Sequence, residues 1–554
     1  MQLRYTYYVL PLFLAAGAFA ADPLPTNVPS ANPKVPGTVY PNVLSPELFE
    51  TIVAQGANAL ENPSATVTFY GYDNNGTMVP TAAGSRVEAT KTEPDKNTYL
   101  VLKGQKGADP NYNYGTHFLF QGHELGLDSG HTHGYITRIN LDADGAHRVT
   151  LMADQDALGQ PLPNIDGSTW YPFSQRMLYT TEASLNGGVL QGTLDVPSKV
   201  ERLDGIFGMG GFEGIQSDPQ GRLILVEDIG GSTGTVNNFA KRPNSYIYRF
   251  LPADISDLKK GGKLQALQLT SHADPARPIF FDFFASADAH ILSQDVQDMH
   301  TYGIVFSTNW VTVHDTAVDG TAVFNATAAA RAKHATPFKR PENGQFRPGS
   351  NFTEFYFDET GDTDNRTQAG ATFGGFGAIF KLVLNGDHGQ LSLLYNSPDQ
   401  VHASFDNCAF WDADHIVFVE DAGDTLHTQR QALDSAWLFD VTASYAHGAQ
   451  PIRIEAEGRD TSATLDSLFG AAGSAFTGTF NNEGDNEITG WHESDGDASV
   501  LGLLGAKIPT PFRKGWRLFF TQQHGDNFTW EVLSKDTDDD ENGKGNGNGQ
   551  GKKD

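Results

Sequence analysis

Short apolar runs broken by Gly, Asn and Asp recur along most of the chain. Examples are TYLVLKG, THFLFQG, GYITRINLD, RLILVED, SYIYRFLP, YGIVFSTNW, FTEFYFDE, AIFKLVL, HIVFVED and WRLFFTQ. Runs of this length bounded by turn residues predict β-strands. Helical periodicity is scarce: Pro46 to Leu60, with Ser45 as N-cap, and the short Ala328 to Lys333 are the best candidates. The chain therefore reads as all-β.

Two of these runs belong to longer windows that match each other. Phe212 to Asp228 reads FEGIQSDPQGRLILVED and Phe405 to Asp421 reads FDNCAFWDADHIVFVED, seventeen residues each. Both open on Phe plus an acid, turn on a central Asp and close on an apolar strand capped by Glu-Asp. A looser copy runs from Glu342 to Glu359, and the strand ends at Glu182 and His524 look related. Leu223 to Val226 and Ile416 to Val419 are apolar at every position, which is the environment of a strand buried on both faces. Repeated units with such strands predict a single large β-propeller, whose equivalent strand ends converge on one mouth of the central channel. Acids repeated at those ends would crowd together there, and like charges so close require cations. A polynuclear central-channel metal site follows. The competing reading is that propeller turns simply favour acids.

Composition narrows the partners. Of 554 residues, 38 are basic and 67 acidic, a formal net charge of −29. Nucleic acid, bound through surplus Lys and Arg, is therefore not an expected partner. Gly and Pro are abundant, at 59 and 28, as turns require. The lone Cys408 can form no internal disulfide, and between apolar neighbours it reads as a buried thiol or, less simply, a metal ligand.

Residues 1–20, MQLRYTYYVLPLFLAAGAFA, have the pattern of a secretory signal without a twin-arginine pair, so a secreted or periplasmic location is expected. Residues 21–45 form a Pro-rich lead-in, 46–534 the propeller and 535–554 a disordered Gly/Asn/Asp-rich tail. No later run is long and apolar enough to span a bilayer.

Other motifs carry less. His123 and Glu124 in QGHELG, and His131 and His133 in GHTHGY, are either imidazole-containing ligands or hydrogen-bonded histidines. Asp362 and Asp364 in ETGDTDN serve equally well as calcium ligands or turn formers. Gly230 to Gly234 fits GxSxG, yet TVNNFAKRPN does not read as the helix that a nucleophile elbow needs. There is no P-loop.

Taken in order, GHELG, STWYPF with YTTEAS, GFEGI, LVED with YIYRFLP, FKRPE with FYFDETGD, FDN with FVED, NEITG and FFTQQHGD resemble the PhoX-type secreted alkaline phosphatases, from about Tyr70 to Trp530. The resemblance implies a β-propeller carrying calcium and iron on its axis and hydrolysing phosphate monoesters. By position Glu124, Glu182, Glu213, Glu342 and Glu487 are similar to the family's acidic residues. Arg340, Asp406, Asn407 and His524 fall in matching segments. The chain departs from the pattern where the family has a Cys that helps hold iron: here the segment reads PNIDGSTW, with Ile165 near that place. Glu182 is followed by Ala183 where the family commonly shows Glu-Glu.

The expected activity is thus hydrolysis of small phosphate monoesters by a monomer. Glu124, Glu182, Glu213, Glu342, Glu487, Asp228, Asp406, Glu420 and Asp421 are the metal-ligand candidates, and Arg340 and His524 the candidates for phosphate contact or leaving-group protonation. Ca²⁺ is the favoured ion, and Fe³⁺ is less favoured because the Cys ligand is missing. A calcium-dependent esterase or lactonase and a non-catalytic calcium-binding propeller remain open alternatives on the same scaffold.

Overall fold

A computed structural model describes residues 24–535, except 35–39, 57, 72–78, 81–85, 88–91, 126–133, 183–186, 284, 459–486 and 524–526. The expected signal sequence and the tail after residue 535 lie outside these residues, as do His131, His133 and His524. Among the described residues no helix is long and apolar enough to cross a membrane.

Among the described residues, all but a few of the strands assemble into six antiparallel blades built on four strands each, counted from the channel outward. Blade 1 contains Thr92–Val101, His117–Leu125, Tyr135–Asn140 and Val149–Ala153; blade 2 contains Ser168–Tyr171, Arg176–Thr180, Val189–Gly192 and Val200–Arg202. Blade 3 is Phe212–Ser217, Leu223–Glu227, Ile247–Pro252 and Gly262–Leu269; blade 4 is Gly344–Phe346, Glu354–Glu359, Ala378–Asn385 and His388–Asn396. Blade 5 is Phe405–Phe410, His415–Glu420, Ser435–Asp440 and Ile452–Ala456, with Val43–Leu44 added outside. Blade 6 is Glu487–Ser494, Arg517–Gln523 and Phe528–Ser534, completed by Leu48–Ala54 from the other end of the chain. The six innermost strands neighbour one another in a closed ring. The fold is an all-β propeller. Strand Val305–Asp315 pairs with the outer strands of blades 3 and 4 and fuses them into one nine-stranded sheet.

Leu48–Ala54 corrects the helix expected over Pro46 to Leu60. Thr51, Ile52 and Val53 are β-branched, which favours a pleated strand, and register Leu48↔Ser534 to Ala54↔Thr529 closes the ring non-covalently. The helix expected at Ala328 to Lys333 is present as Ala326–Ala332, capped by Asn325, whose side chain accepts from the Ala328 N–H.

The core lies between blades. Ile224, Val226, Ile247, Phe338, Phe355 and Phe357 pack between blades 3 and 4, and Val417, Val419, Leu438, Trp491 and Phe520 between blades 5 and 6. The all-apolar runs of the two matched windows are buried throughout, as two-faced burial requires. Cys408 is in this core, where burial pushes its thiol well above its ordinary value.

Candidate metal centre

The innermost strands of blades 1, 3, 5 and 6 each carry an irregularity at the same place. Two residues face one across the pair at Asp95-Lys96, Glu213-Gly214, Asp406-Asn407 and Gly490-Trp491. Such a bulge bends the strand and re-aims a side chain. In three of the four blades the first bulged residue is an acid. Blades 2 and 4 place Asp166 and Glu342 just before their innermost strands.

A second tier comes from the following strand. Glu124 is the penultimate residue of that of blade 1, Glu182 follows that of blade 2, and Asp228 and Asp421 follow those of blades 3 and 5.

The two tiers meet. Asp95, Glu124 and Asp166 bring carboxylate oxygens within 4.8 Å of one another; so do Asp166, Glu182 and Glu213, and so do Glu213, Asp228 and Glu342. Shared Asp166 and Glu213 link the three groups into one arc across blades 1 to 4. On the remaining side, Asp406, Asp421 and Glu487 lie within electrostatic reach of one another. Gly167 makes the close approach of blades 2 and 3 possible: a Cβ there would sit 2.1 Å from the Glu213 carbonyl oxygen.

Few cations answer these acids. Lys96, buried beside Asp95, donates to Asn343 Oδ1 at 2.6 Å. Arg340 contacts Asp228 Oδ2 at 2.7 Å and Glu342 Oε1 at 3.0 Å through Nη2, and donates to Asp228 through Nε. Its Nη1 makes no side-chain hydrogen bond among the described residues. Lys241 lies within electrostatic reach of Arg340 and Asp228.

Burial raises the carboxyls of Glu124, Asp166 and Glu213 well above the usual range, and their acidic neighbours raise them further. Glu487 and Asp406 are raised for the same two reasons. Burial also lifts Glu342 and Asp228, against the pull of Arg340. Without a cation the arc must take up protons, since so many charges are untenable in one dry volume. The clustered donors are carboxylate oxygens, which suit a hard cation such as Ca²⁺.

Of the residues singled out from sequence, Glu124, Glu182, Glu213, Glu342, Asp228, Asp406, Asp421, Glu487 and Arg340 come together at this mouth. Glu420 does not. Its carboxylate accepts from the Ala403 N–H and Trp437 Nε1–H at 3.1 and 2.9 Å and meets Arg430 at 3.1 Å. Glu227 is likewise engaged by Tyr246 N–H, Tyr248 Oη and Thr327 Oγ1, and Glu359 by Lys339 N–H and His300 Nε2. The physical reason is the period of two along a strand: the Glu of each Glu-Asp pair points into the blade and the Asp into the channel.

His123 is also turned into its blade, bonded to Thr137 Oγ1 at 2.8 Å and stacked on Tyr135. Asp362 pairs with Lys339 at 2.9 Å, and Asp364 pairs with Arg366 in a turn. Ser232 of the GxSxG segment is followed by no helix. Asp95 and Asp166 were not recognised from sequence. Asp95, in EPDKN, resembles a turn residue, and Asp166 stands beside the very Ile165 that marks the missing Cys; only the alignment of inner strands would have exposed them.

A sequence model of the family described as "Alkaline phosphatase PhoX" matches residues 231–488. No curated protein matches the sequence. Among solved structures, Pseudomonas fluorescens PhoX in complex with vanadate is similar at 10% identity, covering 92% of this chain and 98% of that one with a TM-score of 0.54. YCF48 from Cyanidioschyzon merolae, at 9% identity, covers 82% and 98% with a TM-score of only 0.30. The chain is thus similar to the PhoX family in sequence over residues 231–488, and to the Pseudomonas fluorescens protein in fold over most of its length.

Proposed function

We propose that the protein is a metal-dependent phosphatase that hydrolyses small phosphate monoesters outside the cytoplasm. The observation that carries this reading is the arc of linked carboxylates with Arg340 held against two of its members. Asp95, Glu124, Asp166, Glu182, Glu213, Asp228 and Glu342 would hold the cations, with Asp406, Asp421 and Glu487 completing the ring. The all-oxygen donor set favours calcium, whereas thiolate-held iron does not fit, because Cys408 is buried in the blade core. Bound cations supply the charge that offsets a phosphoryl group and lowers the pKa of an attacking water.

The side chains do the rest. Asp228 and Glu342 fix the guanidinium plane of Arg340 and leave Nη1 to donate to a phosphoryl oxygen. Lys241 adds positive charge on the same side. His524, next after Gln523, is the candidate for leaving-group protonation. Without cations the protonated or ionised acids of the ring offer a phosphate dianion no compensating positive charge, so hydrolysis requires metal.

The test is hydrolysis of p-nitrophenyl phosphate before and after EDTA, then with Ca²⁺ restored. Loss and recovery of turnover are expected. Activity indifferent to chelation rejects the reading, and turnover of lactones or carboxylesters with none of phosphoesters replaces it with the esterase alternative.

A further inference from the structure

Beside the metal centre, the segment after Asp228 folds outward and doubles back through Arg242, whose N–H donates to the Ser232 carbonyl. Against it packs the chain from Phe280 to Phe283 and the helix Ala326–Ala332. Between them lies a cleft of about 990 Å³.

Its chemistry is unlike that of the rest of this acidic chain. Arg242 and Arg331 both lie over the ring of Phe283, their guanidinium carbons 3.9 and 3.8 Å from its centroid. Neither forms an ion pair among the described residues, and the Nε–H of each is buried without a hydrogen-bond partner there. Arg331 donates through Nη2 to Asn244 Oδ1 at 2.8 Å and lies beside the Tyr246 hydroxyl, both neutral groups. Asn244 in turn donates to the Ile229 and Gly230 carbonyls. Two guanidiniums stacked on one ring repel each other, and Asp282, the carboxylate that also lines the cleft, forms no ion pair with either of them among the described residues. Phe280 and Phe281 supply flat apolar walls, stacked on His334 and His290.

We infer that this cleft is a second binding site, for an organic oxyanion whose charged end is received by Arg242 and Arg331 and whose planar body rests on Phe280 and Phe281. Arginine edges with their faces stacked present parallel N–H donors, the geometry that recognises a phosphate, sulfonate or carboxylate group. The site does not depend on the metal-centre reading.

The test is calorimetric titration of the full chain, with Ca²⁺ present, by naphthalene-2-sulfonate. This probe has an oxyanion and a planar body, cannot be hydrolysed as a phosphoester, and is a poor ligand for calcium. The expected result is one saturable site per chain at millimolar probe or below. Affinity should fall about tenfold or more in Arg242→Gln and in Arg331→Gln, the loss of one charged bidentate contact. Arg242→Lys and Arg331→Lys, which keep the charge but lose the fork, should fall between, and they give the reading if the Gln variants do not fold. Inorganic sulfate should bind more weakly than the probe, and neutral 2-naphthol should not compete. The inference is overturned by absence of saturable binding, by undiminished affinity in folded variants of both arginines, or by 2-naphthol binding as tightly as the sulfonate.

Discussion

Glu227 and Asp228 are neighbours at one strand end and face opposite ways: Glu227 accepts from Thr327 Oγ1 at 2.6 Å inside the blade, while Asp228 meets Arg340 at 2.7 Å in the channel. Burial raises the Glu227 carboxyl to about 8, so it is largely protonated at neutral pH. Glu227→Gln should therefore cost about 1 kcal/mol or less and leave phosphatase activity within a few-fold. Asp228→Asn should reduce turnover by about 10²-fold or more with little change in melting temperature. Parallel melting curves and assays of the two variants check this.

Arg340 makes a positional prediction. Its fork is shared between Asp228 and Glu342, and a lysine cannot hold both contacts and still offer a third donor. Arg340→Lys should lower kcat/KM on p-nitrophenyl phosphate by about 10²-fold while bound metal per chain stays unchanged. Steady-state kinetics paired with elemental analysis separates this from loss of the centre.

Ring closure rests on Leu48–Ala54 alongside Phe528–Ser534. Leu48 is buried against Trp491, Leu518 and Val532. Leu48→Ala should cost about 2–4 kcal/mol and lower the melting temperature of the whole propeller, since an open ring exposes both the first and last blades. An unchanged melting temperature would mean that this strand does not secure the fold.

His402 gives a pH dependence away from the channel. It is bonded to Tyr395 Oη at 2.6 Å and packed on Trp437, and burial lowers its pKa to about 4 from 6.5. Between these values the unfolded chain binds the proton and the folded chain does not, so stability falls as pH drops from about 6.5 towards 4. Because His402 is partly exposed, the contribution is about 1–2 kcal/mol. The difference in melting temperature between pH 7.5 and 4.5 should accordingly be smaller in His402→Gln than in the unsubstituted protein.

The repeat made the architecture readable. Windows beginning at Phe212 and Phe405 announced equivalent strands, and those strands occupy equivalent places in blades 3 and 5. Three features escaped a linear reading. Which acid of a Glu-Asp pair faces the channel depends on strand phase, and that misplaced Glu420. Asp95 and Asp166 are brought inward by a bulge and by a strand approach visible only across blades. Leu48–Ala54 is a strand because a partner from the far end of the chain makes it one.

Metal content is the most direct measurement. Elemental analysis of the dialysed full chain should find two or more divalent ions per molecule, calcium foremost, and both Asp166→Asn and Glu213→Gln, which sit where the carboxylate groups join, should lose most of them while remaining folded. A folded, metal-free protein that still hydrolyses p-nitrophenyl phosphate, or variants at these two junctions with full metal content, would contradict the account.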